Sequence, residues 1–194
     1  MTRTSVTLLD HLRETPDGAA WERFVDIYAP MIYRWLREKG LQDEDAQDVG
    51  QEVMLAVLRE MPKFQYDRSV GTFRGWLRGV VSNRALMFWR NRQGKPAGVG
   101  GSEFEKQLEQ LADSDSIAAR CWDEEHNRHV AGRVLALIQA EFEPTTWRAF
   151  WGVVVDGEKA AAVANALGIT VNAVYLAKSR VLRRLQQESQ GLLN

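Results

Sequence analysis

An all-α protein of two small helical domains joined by a flexible linker is what this sequence predicts, and three observations carry the prediction. Apolar residues recur at helical spacing almost everywhere, period-two alternation is nowhere sustained, and one glycine-rich stretch breaks the helical pattern near the middle. At 194 residues the chain exceeds the usual domain of about 100–150 residues, so two small domains fit better than one.

The first helical run carries Trp21, Phe24, Val25 and Tyr28, then Ile32, Trp35 and Leu36, with Pro30 and Gly40 as its punctuation. A second run carries Val53, Leu55, Val57 and Leu58 and closes at Pro62. Gly71 and Thr72 precede a third, over 73–92, in which Phe73, Trp76, Leu77, Val80 and Val81 have the spacing of a core stripe. These runs form a first domain over 1–92.

Residues 93–102 read Gln-Gly-Lys-Pro-Ala-Gly-Val-Gly-Gly-Ser, which cannot sustain a helix and has little to bury. The linker is therefore placed at 93–116, with a short helix near 104–111. The second domain, 117–194, is expected to hold helices near 120–142, 145–155, 158–167 and 170–187.

The strongest local motif lies at 159–174 with the basic helix that follows it. Small residues at 160–164 allow close packing, Gly168 supplies a left-handed turn, Ile169 fills the space between two helices, and Thr170 is an N-cap. This is the pattern of a helix-turn-helix. Val171, Val174, Val181, Leu182 and Leu185 give the expected buried stripe, and Asn172, Tyr175, Lys178, Ser179 and Arg183 fall toward the other side. Short polar residues near the start of such a helix reach base edges, and cations further along hold phosphates. Asn172 and Tyr175 are therefore expected to read, with Lys178, Arg180 and Arg183 as anchors.

The net charge of −1 argues against a protein that coats nucleic acid over its whole surface. Its distribution matters more. Seven basic residues and no acid lie between Arg68 and Lys95, and Lys178, Arg180, Arg183 and Arg184 share an acid-free 170–185. Compensating acids sit at 43–52 and 103–125. Segment 73–92 interleaves aromatics with arginines, a composition suited to stacking on unpaired bases while cations track the backbone.

Other classes fit less well. A single cysteine, Cys121, forms no internal disulfide, no signal-peptide pattern opens the chain, and no apolar run approaches the ~18–20 residues of a membrane span. A cytoplasmic protein without membrane insertion is expected. Cys121, His126 and His129, even with Asp123 or Glu124, match no zinc spacing, and the 94–101 glycines lack phosphate-loop order. No catalytic group, metal or cofactor is expected.

Taken together, Trp21-x-x-Phe24-x-x-x-Tyr28-x-Pro30, Asp45-Ala-Gln-Asp48-Val-Gly-Gln51-Glu52-Val53, Phe73-Arg-Gly-Trp76-Leu77, Asn83-Arg84-Ala85-Leu86 and the terminal helix-turn-helix resemble the extracytoplasmic-function (ECF) sigma factors of bacterial RNA polymerase. The resemblance covers about 21–92 and 130–187. It implies that the first domain is sigma region two and the second region four, docking on core RNA polymerase and reading promoter DNA at the minus-10 and minus-35 elements.

Asp45, Asp48, Gln51 and Glu52 are the positions implied to bind the clamp helices of the largest subunit, the flap of the second subunit being the other implied contact. For the minus-10 element the implied residues are Tyr66, Arg68, Arg74, Arg78, Asn83, Arg84, Trp89 and Arg90. For the minus-35 element they are Thr170, Asn172, Tyr175, Lys178, Ser179, Arg180 and Arg183. Family membership also implies an anti-sigma partner. The chain departs from the family pattern at Met87 and at Leu176-Ala177, which bears on the promoter sequence read. A stand-alone helix-turn-helix regulator would explain 159–185 equally well, but not the second acid-free helix nor the acidic 45–52 face.

Overall fold

A computed structural model describes residues 8–14, 18–64, 72–92, 106, 108, 110–111, 113 and 115–193. All regular structure among them is helical. The elements are α1 (Leu8–Glu14), α2 (Gly18–Glu38), α3 (Asp43–Glu60), a 3-10 turn (Met61–Lys63), α4 (Phe73–Arg92), α5 (Ile117–Ile138), a 3-10 turn (Gln139–Glu141), α6 (Pro144–Val154), α7 (Ala160–Leu167) and α8 (Val171–Glu188).

Local chemistry accounts for the boundaries. Gly40, at φ 95°, ends the turn after α2 in a conformation only glycine adopts readily. Three acids, Asp43, Glu44 and Asp45, open α3 where the helix dipole favours negative charge. Pro62 ends α3 in a 3-10 turn, and the Thr72 hydroxyl accepts the Gly75 N–H at 3.1 Å to start α4. Pro30 does not punctuate. It lies inside α2, because Ile27, Tyr28, Met31 and Ile32 around it are fully buried and hold the helix through the lost hydrogen bond.

The chain divides into two compact units, the first running through Val130 and including the residues from Gly191, the second Ala131–Gln190. The expected domain boundary at 117 therefore moves into α5, whose residues 117–130 pack in the first unit. The linker expected at 93–116 is also shortened. Residues 93–105 lie outside the described residues, but Lys106, Leu108, Gln110 and Leu111 are helical, Leu108 and Leu111 are buried, and the Ser82 hydroxyl donates to the Leu108 carbonyl at 2.8 Å.

In the first unit, Phe24, Tyr28 and Phe73 stack or meet edge-on at 4.6–6.1 Å, and Phe64 and Trp76 extend this aromatic cluster. Trp122 of α5 meets Trp35 edge-on at 5.2 Å. Each large side chain so buried contributes about 1.5–3 kcal/mol. In the second unit Ala149, Val163, Ala164, Val174 and Ala177 form the core, with Val153, Leu167 and Ile169 packed against it. Among the described residues no single helix is long and apolar enough to cross a membrane.

Candidate nucleic-acid interface

The turn between α7 and α8 follows from three residues. Gly168 sits at φ 64°, its N–H donates to the Asn165 carbonyl at 3.3 Å, and the Ile169 N–H donates to the Ala164 carbonyl at 3.0 Å. This pair of bonds is a Schellman ending, which needs a residue tolerant of the left-handed conformation. Thr170 then caps α8, its hydroxyl accepting the Ala173 N–H at 3.1 Å. The chain bends by 104° between the two helices.

Residues Asn172, Tyr175, Leu176, Ser179, Arg180 and Arg183 of α8 are exposed, and Lys178 is half-buried. The buried stripe is Val174, Ala177 and Val181. Val171 and Leu182, expected inside, are exposed, because α8 turns its Ala177 side to Ala149 and Val163 and so rotates the stripe away from them. Arg184 lies on the inward flank. Its guanidinium grips both oxygens of Glu141 at 2.6 and 2.9 Å and also pairs with Glu188. These bonds hold its pKa above the ordinary arginine value. Arg184 clamps the unit together; Arg180 and Arg183 face outward.

In the first unit, α3 and α4 enclose a groove of about 660 Å³ lined by Asp45, Glu52, Leu55, Arg59, Arg84 and Met87, among others. Asp48, Gln51 and Glu52 are exposed on α3, while Asp45 is half-buried at its first turn. Leu55 and Leu58 do not join the core that Val49, Val53 and Val57 form, and are exposed with Met87. Sequence reasoning missed this apolar strip, although Leu55 falls out of phase with its buried neighbours.

The arginines of α4 divide into two sets. Asn83 and Arg90 are exposed, Trp89 is half-buried, and Arg84 is half-buried with a nitrogen 3.7 Å from Glu60. Arg74 and Arg78 are turned the other way. Arg78 is only 6% exposed and donates to Asp123 at 2.9 Å, while Arg74 reaches the second Asp123 oxygen at 3.1 Å and donates to Asn127 at 3.0 Å. These two expected DNA contacts hold α5 in this structure, because Asp123 compensates charges that would otherwise be buried alone. Tyr66 and Arg68 lie outside the described residues.

The histidines of α5 are absorbed into the same packing. His126 is buried with Nε2 3.3 Å from the Tyr28 hydroxyl, and His129 Nε2 lies 2.7 Å from the Ile27 carbonyl. Burial lowers the His126 pKa to about 4, so the ring is neutral. No three His, Cys, Asp or Glu side chains cluster for a metal among the described residues.

The segment holding the acidic α3 and the basic α4 matches a known sequence family: residues 24–95 fit sigma-70 region 2. The ECF RNA polymerase sigma factor RpoE of Cereibacter sphaeroides is 25% identical over 182 residues, 93% of this chain and 94% of the relative. Residues 24–95 thus fit sigma-70 region 2, and nearly the whole chain is similar to an ECF RNA polymerase sigma factor. The ECF RNA polymerase sigma factor SigE of Mycolicibacterium smegmatis is 28% identical over 89 residues, 46% of this chain, and that match spans one third of the relative's length. The family is one of transcription initiation factors of RNA polymerase. The residues matched to sigma-70 region 2 cover α2 from Phe24, α3 and α4, including the groove between the last two.

Proposed function

We propose that this chain is an ECF sigma factor that docks on core RNA polymerase through α3, directs it to promoters by holding the minus-35 element with α8, and helps open the minus-10 element with the outer face of α4. The observation that carries the reading is the α7–α8 geometry. A bend of 104° across a Schellman turn presents exposed Asn172, Tyr175, Leu176, Ser179, Arg180 and Arg183 on a helix whose outward cations are uncompensated by any acid of that helix before Glu188. Helices crossing at about 90–120° over a short turn are how a helix-turn-helix sets its second helix into the major groove.

Asp48 and Glu52 lie one turn apart and, beside exposed Leu55 and Met87, give an acidic and apolar surface suited to a basic helical partner, which we assign to the clamp helices of the largest subunit. On the same reading Asn83, Arg84, Trp89 and Arg90 approach the minus-10 strand, with Tyr66 and Arg68 from the preceding segment. Base extrusion at that element costs a few kcal/mol, which a pocket and polymerase contacts offset without catalytic groups. The flap of the second subunit and an anti-sigma factor complete the proposed partners.

Gel filtration of the purified protein with bacterial core RNA polymerase, followed by transcription from a promoter-fragment library, tests the reading. Co-elution and initiation at a defined set of promoters are expected. Failure to associate, with sequence-specific duplex binding by the protein alone, would replace it with a stand-alone regulator.

A further inference from the structure

We propose that Leu176 is a specificity-determining residue that selects a thymine in the upstream promoter element through the thymine C5-methyl group. The inference rests on the reading of α8 as the duplex-reading helix and deepens it.

Leu176 is 49% exposed on the outward side of α8, although the helix has a core stripe of its own on the opposite side. It stands one helical turn from Asn172 on one side and one turn from Arg180 on the other, so the three form a single outward row. Arg180 and Leu176 also border the same recess of about 230 Å³ beside Thr145 and Thr146 of α6. A side chain in this row that enters the major groove meets base edges rather than solvent.

Leucine has no donor or acceptor to offer those edges. Guanine, adenine and cytosine present polar groups there, and thymine alone adds a methyl group. Facing cytosine, Leu176 would take the N4 amino group from water and return nothing, a loss for any polar group left unpaired. Facing thymine, it buries a methyl group against a methyl group. Asn172 in the same row carries an amide that fits adenine, and Arg180 carries charge for the backbone, so the row combines polar readout, apolar readout and anchoring. Tyr175, 55% exposed, and Val171, 40% exposed, lie to the other side of the row.

The test uses the full chain with core RNA polymerase. A high-affinity duplex is first selected from a randomised library, then synthesised with each thymine in turn replaced by deoxyuridine, which keeps every hydrogen-bonding edge and removes only the methyl group. Wild type is expected to lose about fourfold in affinity at one substituted position, the worth of one buried methyl group. Leu176→Ala, whose exposed site leaves the fold intact by circular dichroism, is expected to bind thymine and deoxyuridine duplexes equally at that position. Deoxyuridine that is neutral everywhere, or a penalty that persists in Leu176→Ala, overturns the role of Leu176 and leaves the sigma reading standing. A library from which nothing is enriched overturns both.

Discussion

Arg78 of α4 donates to the Asp123 carboxylate of α5 at 2.9 Å from a position only 6% exposed. Arg74 takes the other oxygen of the same carboxylate at 3.1 Å. Two cations from one helix thus depend on one acid from another, and neither faces outward. Replacing Asp123 by Ala leaves the Arg78 charge buried without its partner. The expected cost is about 2–3 kcal/mol, below the 3–5 kcal/mol of a fully enclosed pair because Asp123 is partly open to solvent. Urea unfolding measures it, and adding Arg78→Met to Asp123→Ala should recover much of the loss by removing the stranded charge. No recovery in the double variant would mean that the bridge itself contributes little.

His126 makes the stability of the first unit sensitive to acid. Burial lowers its pKa from 6.5 to about 4, with the positive charge of Arg74 acting in the same direction and the bond to Asn127 opposing. Between these pH values the unfolded chain binds a proton that the folded chain refuses, so stability falls as pH falls through this window, by about 1.4 kcal/mol per pH unit from this group. Unfolding at pH 7, 6 and 5 should show a shallower loss for His126→Gln than for wild type. Parallel curves would remove His126 as the cause.

Gly152 is the contact point of α6 with α7. A Cβ placed there would lie 3.0 Å from Cγ2 of Val163, a β-branched side chain with little freedom to move. Gly152→Ala sets this crowding against a gain in helix propensity of about 1 kcal/mol and should be nearly neutral. Gly152→Val adds two methyl groups with less compensation and should lower stability by about 1–3 kcal/mol. Thermal melting of the two variants side by side reads the difference, and equal melting temperatures would argue that α7 yields freely.

The exposed charges separate binding from folding. Arg180→Ala and Arg183→Ala should each reduce the salt dependence of promoter binding by about one unit in the slope of log affinity against log salt, with little change in melting temperature. Asp48→Ala combined with Glu52→Ala should abolish association with polymerase while the isolated protein melts as before. An unchanged salt slope, or retained polymerase binding, sinks the corresponding assignment.

The helices were legible because each carries its own stop or start chemistry. Pro62, Thr72, Gly168 and Thr170 mark boundaries by rules that need no tertiary knowledge, and the helices expected near 145–155, 158–167 and 170–187 fall within about two residues of α6, α7 and α8. Pro30 misled, since local propensity was outweighed by the buried residues around it. The site was legible only in outline. Acid-free segments identify helices rich in cations but do not say where each cation turns. Arg74, Arg78 and Arg184 spend their charge on Asp123 and Glu141, partners 43–49 residues away in sequence, and no spacing rule reaches that far. Leu176 was visible as a departure from pattern, but its outward direction depended on the rotation of α8 toward Ala149.

The Schellman turn at Gly168 has a consequence for how such a chain can change its targets. The residues that set the angle of α8, namely Gly168, Ile169, Thr170, Val174, Ala177 and Val181, are disjoint from those it presents, Asn172, Tyr175, Leu176, Ser179, Arg180 and Arg183. Drift among the second set alters the message without disturbing the frame that delivers it. If α8 reads promoters as proposed, a lineage carrying this module can diverge in the genes it addresses through single substitutions at nearly constant stability, and the same division lets an engineer rewrite its address by exchanging outward side chains alone.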